Sequence, residues 1–210
     1  MKNLRIEVIK YAKMLNSKKL SALRSGNISV RHKDGFLITP SGTKYSSLKN
    51  KDIIFVSLDG EFNQEKSAPS SEWRFHQDIY LNKKDAQAIV HAHSNCATAI
   101  STHEKSIPAF HYMVAMAGGN DIKCAKYATY GTRELSRNIL KALKNRSACL
   151  IGNHGQIAFS ENLSKAFELA EEVENLSNQY IKALKIGKPK ILSSKEMSKV
   201  LSKAKNYKRG

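Results

Sequence analysis

The sequence has few cysteines and no long apolar run, and both absences exclude classes of protein. Its three cysteines, Cys96, Cys124 and Cys149, are odd in number and widely spaced, so neither a disulfide framework nor a CxxC metal knuckle is expected. No apolar run approaches the roughly 18–20 residues of a membrane-spanning helix. Charges interrupt the first ten residues, where a signal peptide would have its apolar region. We therefore expect a cytoplasmic protein with no membrane partner.

Acidic residues are also scarce relative to basic ones. The 210 residues include 35 Lys and Arg but only 18 Asp and Glu, a formal net charge of +17. Residues 181–210 hold ten of these basic residues and a single acid, Glu196. Such a charge fits a solvated lysine surface, attraction of an anionic ligand, or binding to nucleic acid. Because 27 of the 35 are lysines, the first interpretation is favoured, and nucleic acid is not expected as a partner.

Hydrophobic residues make up 41% of the chain and charged residues 25%, which is an ordinary globular composition. Residues 1–210 are interpreted as one domain with a basic helical tail at about 185–210. Periodicity predicts helices at 3–17, 72–81, 95–102, 132–144 and 163–184, with a last helix opened by residues 193–196. It predicts strands at 28–31, 36–39, 52–58, 88–93, 148–151 and 156–159, the first two joined through an Asp-Gly turn. This alternation predicts an α/β fold, a mixed sheet covered by helices on both sides.

The strongest local signal for chemistry is the pair His91 and His93. Residues i and i+2 of a strand point to the same face, so two imidazoles can bind one metal ion. His154, which follows an apolar strand, is a candidate third ligand. The alternative is a structural histidine pair, and the spacing by itself leaves both open. His32, His76, His103 and His111 lack such partners and are interpreted as structural.

A second signal is the sequence Pro-Ser-Ser-Glu-Trp at 69–73. Ser70 and Ser71 directly before a helix are typical of a phosphate site, but also of an ordinary helix cap. Beside Trp73, the Glu72 carboxylate is expected in apolar surroundings that raise its pKa, as a general base requires; the alternative is a first-turn Glu favoured by the helix dipole. Two small-residue turns, at 25–29 and 39–42, offer close backbone approach to an anion, although each is also an ordinary turn.

Seven separated motifs occur in a fixed order and carry a resemblance. They are Gly26-Asn-Ile-Ser, Ile38-Thr-Pro-Ser-Gly, Pro69-Ser-Ser-Glu-Trp-x-x-His, His91-x-His, Ala117-Gly-Gly, Tyr127-x-x-x-Gly-Thr-x-Glu-Leu and Asn153-His-Gly. Together they resemble the class II aldolase/adducin family over essentially the whole chain. The resemblance implies a three-layer α/β/α sandwich around a mixed, largely antiparallel sheet, and a homotetramer with its sites at subunit interfaces.

The resemblance also implies roles for individual residues. His91, His93 and His154 would hold one catalytic Zn²⁺ per subunit, and Glu72 would be the acid/base that also approaches the metal when no substrate is bound. Tyr112 and Tyr207 would handle the aldehyde half of the substrate. The substrate phosphate would be held by Gly26, Asn27, Ser41, Gly42, Ser70 and Ser71.

The implied activity is a lyase reaction of carbohydrate metabolism. It cleaves L-fuculose 1-phosphate, or a closely related ketose 1-phosphate, to dihydroxyacetone phosphate and L-lactaldehyde, with zinc stabilising the enediolate as a Lewis acid. Two departures from the family pattern, Ser41 in place of Thr and the start of the phosphate loop at Arg24-Ser25, weaken any assignment of one sugar. Related activities on the same scaffold are ribulose-phosphate 4-epimerase and methylthioribulose-phosphate dehydratase, and a non-catalytic adducin-like binding role is a third class. Glu72 followed by Trp73 favours the aldolase over the epimerase.

Overall fold

The computed structural model describes residues 2–63 and 68–207, and the side chains of 3–63 and 68–204. A seven-stranded sheet forms the middle layer of the fold. The strands are β1 (Asn27–His32), β2 (Gly35–Ile38), β3 (Ile54–Ser57), β4 (Ala88–Ala92), β5 (Ile107–Pro108), β6 (Asp121–Ile122), β7 (Cys124–Ala125), β8 (Ala148–Ile151) and β9 (Gly155–Ser160). The helices are α1 (Lys2–Ser17), α2 (Trp73–Asn82), α3 (Asn95–Ser101), α4 (Arg133–Ala142), α5 (Leu163–Ile186) and α6 (Ser194–Tyr207). Short 3₁₀ helices span Tyr45–Ser47, Asn50–Asp52 and Tyr112–Ala117.

The sheet is mixed and largely antiparallel, which confirms the predicted fold class. Its order is β3-β2-β1-β4-β9-β8-β7, and β7 with β8 form its parallel pair. β5 and β6 make a separate two-stranded ribbon. The central position of β4 places its two neighbours, β1 and β9, beside the predicted histidine pair.

Alternation along the strands divides the core into two layers. Val90 of β4 packs with residues of α1, α3 and α5, whereas Ile89 packs on the opposite face with residues of α2 and α4. Successive strand residues point to opposite faces, so a strand covered on both sides is apolar at nearly every position. All five residues of β4 are buried, as this arrangement requires.

Two details of the predicted strands are wrong. The β1–β2 hairpin turns at Lys33 and Asp34 rather than at the predicted Asp-Gly pair, because Gly35 already pairs with His32. A Cβ on Gly35 would lie 2.2 Å from the carbonyl oxygen of Val56, so this glycine permits close approach to β3. The strand predicted from residue 52 begins at Ile54. The side chain of Asp52 accepts a hydrogen bond from the Lys49 backbone N–H at 2.8 Å, which holds the preceding residues in a 3₁₀ turn.

The long helix α5 supplies many of the buried residues of one core layer. None of the helices in residues 2–63 and 68–207 has the length and apolar character needed to cross a membrane. α5 instead buries Phe167, which is 1% exposed and has its ring centroid 5.4 Å from that of Tyr11.

Phe167→Ala is expected to lower the free energy of unfolding by about 3–5 kcal/mol, because it removes a buried ring and leaves a cavity. The matched control on the same helix is Ile186→Ala, since Ile186 is 92% exposed and its truncation is expected to change stability by less than about 0.5 kcal/mol. Urea unfolding of the two variants checks this, and equal losses of stability would contradict the assignment of the core.

Candidate active site

His91 and His93 lie together where β4 ends. His91 is fully buried on β4 opposite Asn27 of β1, and His93 follows one residue beyond the strand. Their Nε2 atoms are 2.9 Å apart. The i, i+2 spacing thus brings the two imidazoles to one point, as the sequence predicts.

The turn between β8 and β9 brings a third imidazole to the same point. Nε2 of His154 lies 3.0 Å from Nε2 of His93. A Cβ on Gly155, the next residue, would lie 2.4 Å from the carbonyl oxygen of Ala92. Only glycine permits so close an approach, so Gly155 allows this turn to pack against the end of β4.

Glu72 faces the three histidines from the start of α2. Its Oε2 lies 3.2 Å from Nε2 of His91, and its Oε1 lies 3.1 Å from Nε2 of His154. The Asn27 side chain donates a hydrogen bond to Oε2 at 2.9 Å. The carboxylate is 7% exposed, and its position is fixed by contacts on both oxygens.

The expected rise in the pKa of Glu72 is wrong. Burial acts to raise the pKa of this carboxyl, but the adjacent His91 and His154 outweigh it and hold the pKa below its usual range. Trp73 does not provide the apolar surroundings, because its ring packs edge-on against Phe62 at 5.9 Å. The side chains of adjacent helical residues point in different directions, which explains the error.

The hydrogen-bond partners of these side chains indicate that the cluster can bind a cation. His91 Nδ1 lies 2.8 Å from the carbonyl oxygen of Gln156, which only accepts, so Nδ1 carries the proton and a neutral His91 has its Nε2 lone pair directed at Glu72 and His93. Glu72 Oε1 is buried and accepts no hydrogen bond from any described residue. Lone pairs this close together repel each other unless a positive charge lies between them.

The donor set agrees with a divalent ion. The four candidate ligand atoms of Glu72, His91, His93 and His154 all lie within 4.8 Å of one another. In a tetrahedral zinc site, ligand atoms are about 3.3 Å apart, given metal–ligand distances of about 2.0–2.1 Å. The residues present therefore fit a divalent metal site of nitrogen and oxygen ligands.

A cavity of about 370 Å³ opens above this cluster. The segment before α2 is joined to the turn after β2, because Ser41 N–H donates to Ala68 and Ser70 N–H donates to Thr39, both at 3.0 Å. Predicted site residues that line the cavity are Gly26, Asn27, Ser41, Gly42, Ser70, Ser71, Glu72, His93 and His154. The candidate phosphate donors and three of the four candidate metal ligands thus line one cavity, and the fourth, His91, is fully buried behind them.

The two predicted tyrosines are not among the described residues that line this cavity. Tyr112 is 53% exposed in a 3₁₀ helix, and its ring contacts His111. Tyr207 ends α6, and its side chain lies outside the described residues. Tyr127, Tyr130 and Asn153 line the cavity although the sequence assigned them no role, and Arg24, placed by the sequence only at the start of the phosphate loop, lines it too. Tyr127 and Asn153 belong to the motifs quoted above, and that membership was the sequence signal that could have identified them.

Comparisons with known proteins agree with this geometry. Residues 6–181 match the family model described as class II aldolase and adducin N-terminal domain. A 5-methylthioribulose-1-phosphate/5-deoxyribulose-1-phosphate aldolase of Rhodospirillum rubrum is 48% identical over 97% of this chain and 92% of its own. An L-fuculose phosphate aldolase of Escherichia coli K12 is 50% identical over 87% of this chain and 85% of its own. A solved structure titled L-fuculose 1-phosphate aldolase has a TM-score of 0.94 at 39% identity and covers 98% of this chain and 97% of its own.

The donor set predicts that the protein retains one divalent ion after dialysis. His154→Ala removes one of four candidate ligands and is expected to weaken binding of the divalent ion by more than the roughly 10–100-fold that loss of an outer partner costs. His103→Ala, an exposed histidine outside the cluster, is the matched control. Atomic emission after dialysis measures bound metal, and equal metal in the two variants would contradict the ligand assignment.

The metal-free protein is expected to lose stability as the pH falls below about 6.5. Burial, together with the nearby His91, lowers the pKa of His76 to about 3, whereas an unfolded chain has a histidine pKa of about 6.5. The unfolded state therefore binds the extra proton between about pH 6.5 and 3, and one such group contributes a slope of up to about 1.4 kcal/mol per pH unit.

Urea unfolding of the metal-free protein between pH 5 and 7 measures this slope. His76→Gln removes the titrating group and is expected to make the free energy of unfolding less steep in pH, whatever its effect at pH 7. An identical slope in the variant would show that His76 is not held neutral by the fold.

Proposed function

The chain belongs to the class II aldolase and adducin family, and on that premise we propose that it cleaves a ketose 1-phosphate to dihydroxyacetone phosphate and an aldehyde. The observation that carries the proposal is the convergence of His91, His93, His154 and Glu72 beneath a cavity bordered by phosphate-type donors. A cavity of about 370 Å³ accommodates a small sugar phosphate.

We propose zinc as the metal, held by the three imidazoles and Glu72. Neutral imidazole and carboxylate ligands at these separations suit Zn²⁺. The ion would supply Lewis-acid stabilisation of the negative charge that develops on the substrate as the carbon–carbon bond breaks. The Gln156 carbonyl keeps the His91 proton on Nδ1, so that Nε2 is available as a ligand.

The phosphate is assigned to the rim of the cavity. Ser70 and Ser71 precede α2, where the helix dipole favours an anion, and Ser41 and Gly42 face them across the joined segments. Gly26 completes this rim. Asn27 also lines the cavity, but its side-chain amide donates to Glu72, so its phosphate contact stays a prediction. Phosphate held here converts remote binding energy into orientation of the reacting carbons.

Glu72 is the proposed acid/base. When the bond between carbons 3 and 4 breaks, the carbon 4 hydroxyl would lose its proton and become the aldehyde, and an electron pair would be left on carbon 3, delocalised as an enediolate. That proton, passed to the Glu72 carboxylate, would be delivered to carbon 3 and complete dihydroxyacetone phosphate. The carboxylate is buried beside the three imidazoles and lines the cavity where the substrate would bind. Tyr112 and Tyr207 stay predictions for the proton on the aldehyde oxygen.

Tyr112, half exposed and outside its own chain's cavity, suits a site completed by a neighbouring copy. This is the arrangement that the expected homotetramer would provide. The tetramer and the cytoplasmic location stay predictions.

Two classes of ketose 1-phosphate are the candidate substrates. L-Fuculose 1-phosphate follows from the sequence motifs and from the relative of that name in E. coli. The 5-substituted and 5-deoxy pentuloses, 5-methylthioribulose 1-phosphate and 5-deoxyribulose 1-phosphate, are favoured by the R. rubrum relative, whose match extends over 97% of this chain. All three compounds would release dihydroxyacetone phosphate and leave a short aldehyde.

A coupled assay for dihydroxyacetone phosphate tests the proposal with each substrate in turn. We expect release from at least one substrate, loss of activity after complete chelation of the metal, and recovery when Zn²⁺ is added back. Full activity in the chelated protein would rule out the metal-dependent reaction. No release from L-fuculose 1-phosphate, 5-deoxyribulose 1-phosphate or 5-methylthioribulose 1-phosphate in the zinc-loaded protein would rule out the proposed activity.

Glu72→Gln is expected to lower kcat by roughly 10²–10⁴-fold, because the amide cannot carry the transferred proton. Metal content is expected to persist, since all three imidazoles remain and the amide of the variant still offers an oxygen donor at the position of the carboxylate. The matched control is Glu168→Gln on the exposed face of α5, with unchanged kcat. Wild-type turnover in Glu72→Gln would remove Glu72 from its proposed role.

A further inference from the structure

A stripe of buried polar side chains runs away from Glu72 into the core between β1 and α2. Its members are Asn27 (2% exposed), Ser29 (0%), His76 (0%) and Tyr80 (2%). Such groups are costly to bury unless each has a hydrogen-bond partner. Neither the metal site nor the phosphate rim requires Ser29, His76 or Tyr80.

The periodicities of the two elements build this stripe. Asn27 and Ser29 are two residues apart on β1 and so lie on one face of the sheet. Glu72, His76 and Tyr80 are spaced by four residues at the start of and along α2, so they follow one another along one side of that helix. The polar face of the strand therefore lies against the polar side of the helix.

Hydrogen bonds connect the stripe without a break. The Tyr80 hydroxyl lies 2.7 Å from Ser29 Oγ, and Ser29 Oγ lies 2.7 Å from His76 Nδ1. His76 Nε2 lies 2.5 Å from Asn27 Oδ1, and the Asn27 amide nitrogen donates to Glu72 Oε2 at 2.9 Å. Four hydrogen bonds thus connect the carboxylate to a phenol deep in the core.

The donor direction in this chain is determined from its carboxylate end. Glu72 Oε2 accepts from the Asn27 amide, so Asn27 Oδ1 faces His76 and must accept. His76 Nε2 therefore carries the proton, and its Nδ1 lone pair accepts from the Ser29 hydroxyl. Ser29 in turn accepts from the Tyr80 hydroxyl. Every donor points toward the carboxylate, an order in which neighbouring hydrogen bonds strengthen one another.

We propose that His76, Ser29 and Tyr80 are positioning residues that hold the Asn27 amide against Glu72 and so fix the orientation of the carboxylate. His76 is the central member, since it contacts Asn27 directly and its Nε2–H donates to the amide oxygen that faces it. The catalytic consequence of the inference rests on the proposed function of Glu72. The positions of the protons along these four hydrogen bonds do not depend on that function.

Arg31 supports the buried end of the stripe. Its Nη2 donates to the Tyr80 carbonyl at 2.7 Å, and its guanidinium lies 4.8 Å from the centroid of the Tyr80 ring. Phe36 covers the other side of this ring with its centroid at 5.2 Å. Tyr80 is therefore fixed by packing independent of its hydroxyl, so that Tyr80→Phe removes one hydrogen bond with little change in shape.

Steady-state kinetics of four variants test the positioning role. His76→Leu is expected to lower kcat by roughly 10–100-fold with KM and metal content close to wild type, as loss of an outer partner does. His76→Gln keeps a donor near the Nε2 position and is expected to restore most of kcat. Ser29→Ala and Tyr80→Phe are expected to lower kcat by about 2–10-fold, the effect of one hydrogen bond. If His76→Leu fails to fold, these two variants decide the outcome.

The control is Ser177→Ala, which removes an equally buried hydroxyl that donates to Val173 within α5, far along the chain from this stripe. We expect wild-type kcat for it. Wild-type kcat in His76→Leu, or equal losses in His76→Leu and His76→Gln, would overturn the positioning role. So would losses in Ser29→Ala and Tyr80→Phe no larger than in Ser177→Ala.

The proton order has a readout that needs no activity. Two-bond ¹H–¹⁵N correlation spectra of the metal-free and the zinc-loaded protein distinguish the two neutral histidine tautomers, and the signal missing in His76→Gln assigns His76. We expect the Nε2–H tautomer. The Nδ1–H tautomer would overturn the inference even in an active enzyme. If the wild type cleaves none of the three ketose phosphates, the proposed function fails while this spectrum still decides the proton order.

Discussion

The hydrogen bond from His91 Nδ1 to the Gln156 carbonyl links the pairing of two strands to the direction of the His91 Nε2 lone pair in the candidate site. It exists because β9 lies beside β4 in an antiparallel register that pairs His91 with Ile157. By fixing one proton of one imidazole, it directs the opposite lone pair at the point where His93, His154 and Glu72 meet. Strand pairing, a property of the fold, thus determines the tautomer of a candidate ligand, a property of the site.

The other contributions to the site follow from that position in the sheet. β1 on the other side of β4 supplies Asn27, and α2, which packs on the His91 face, supplies Glu72. Each lies at the end of an element where the backbone leaves the sheet or enters a helix. A site built at such ends combines groups that rigid elements hold in place with an opening through which substrate enters.

The positive charge of the chain has little part in this geometry. Arg24 is the one Lys or Arg among the described cavity residues, and its guanidinium donates to the Gly42 carbonyl at 2.9 Å. The remaining rim consists largely of serine, glycine and asparagine, which bind an anion through short, directional donors. Most of the +17 charge therefore belongs to the lysine-rich surface and the C-terminal segment, where it adds at most to steering of a phosphorylated ligand.

Local patterns were sufficient for the parts of the site formed within one element. The His91 and His93 pair depends only on the two-residue period of a strand, and a serine pair before a helix depends only on helix geometry. His154 is different, because its place beside β4 requires the pairing of Ala92 with Gln156, which no local pattern predicts. Its position after an apolar strand made it a candidate ligand, and the family resemblance implied that it joins the histidine pair. The resemblance gave no role to His76, whose partners Ser29 and Asn27 lie 47 and 49 residues away.

The stripe behind Glu72 shows why a lone histidine on an amphipathic helix is hard to interpret. A buried hydrogen-bond chain such as Tyr80–Ser29–His76–Asn27 gains little net stability over apolar residues of the same shape, since each group gives up its hydration. Its effect is on geometry: with every donor directed one way, the Asn27 amide has one favourable orientation and the carboxylate of Glu72 follows it. If Glu72 has the proposed role toward both a metal and a substrate carbon, the site needs that restriction more than it needs the stability that an apolar core at these positions would provide.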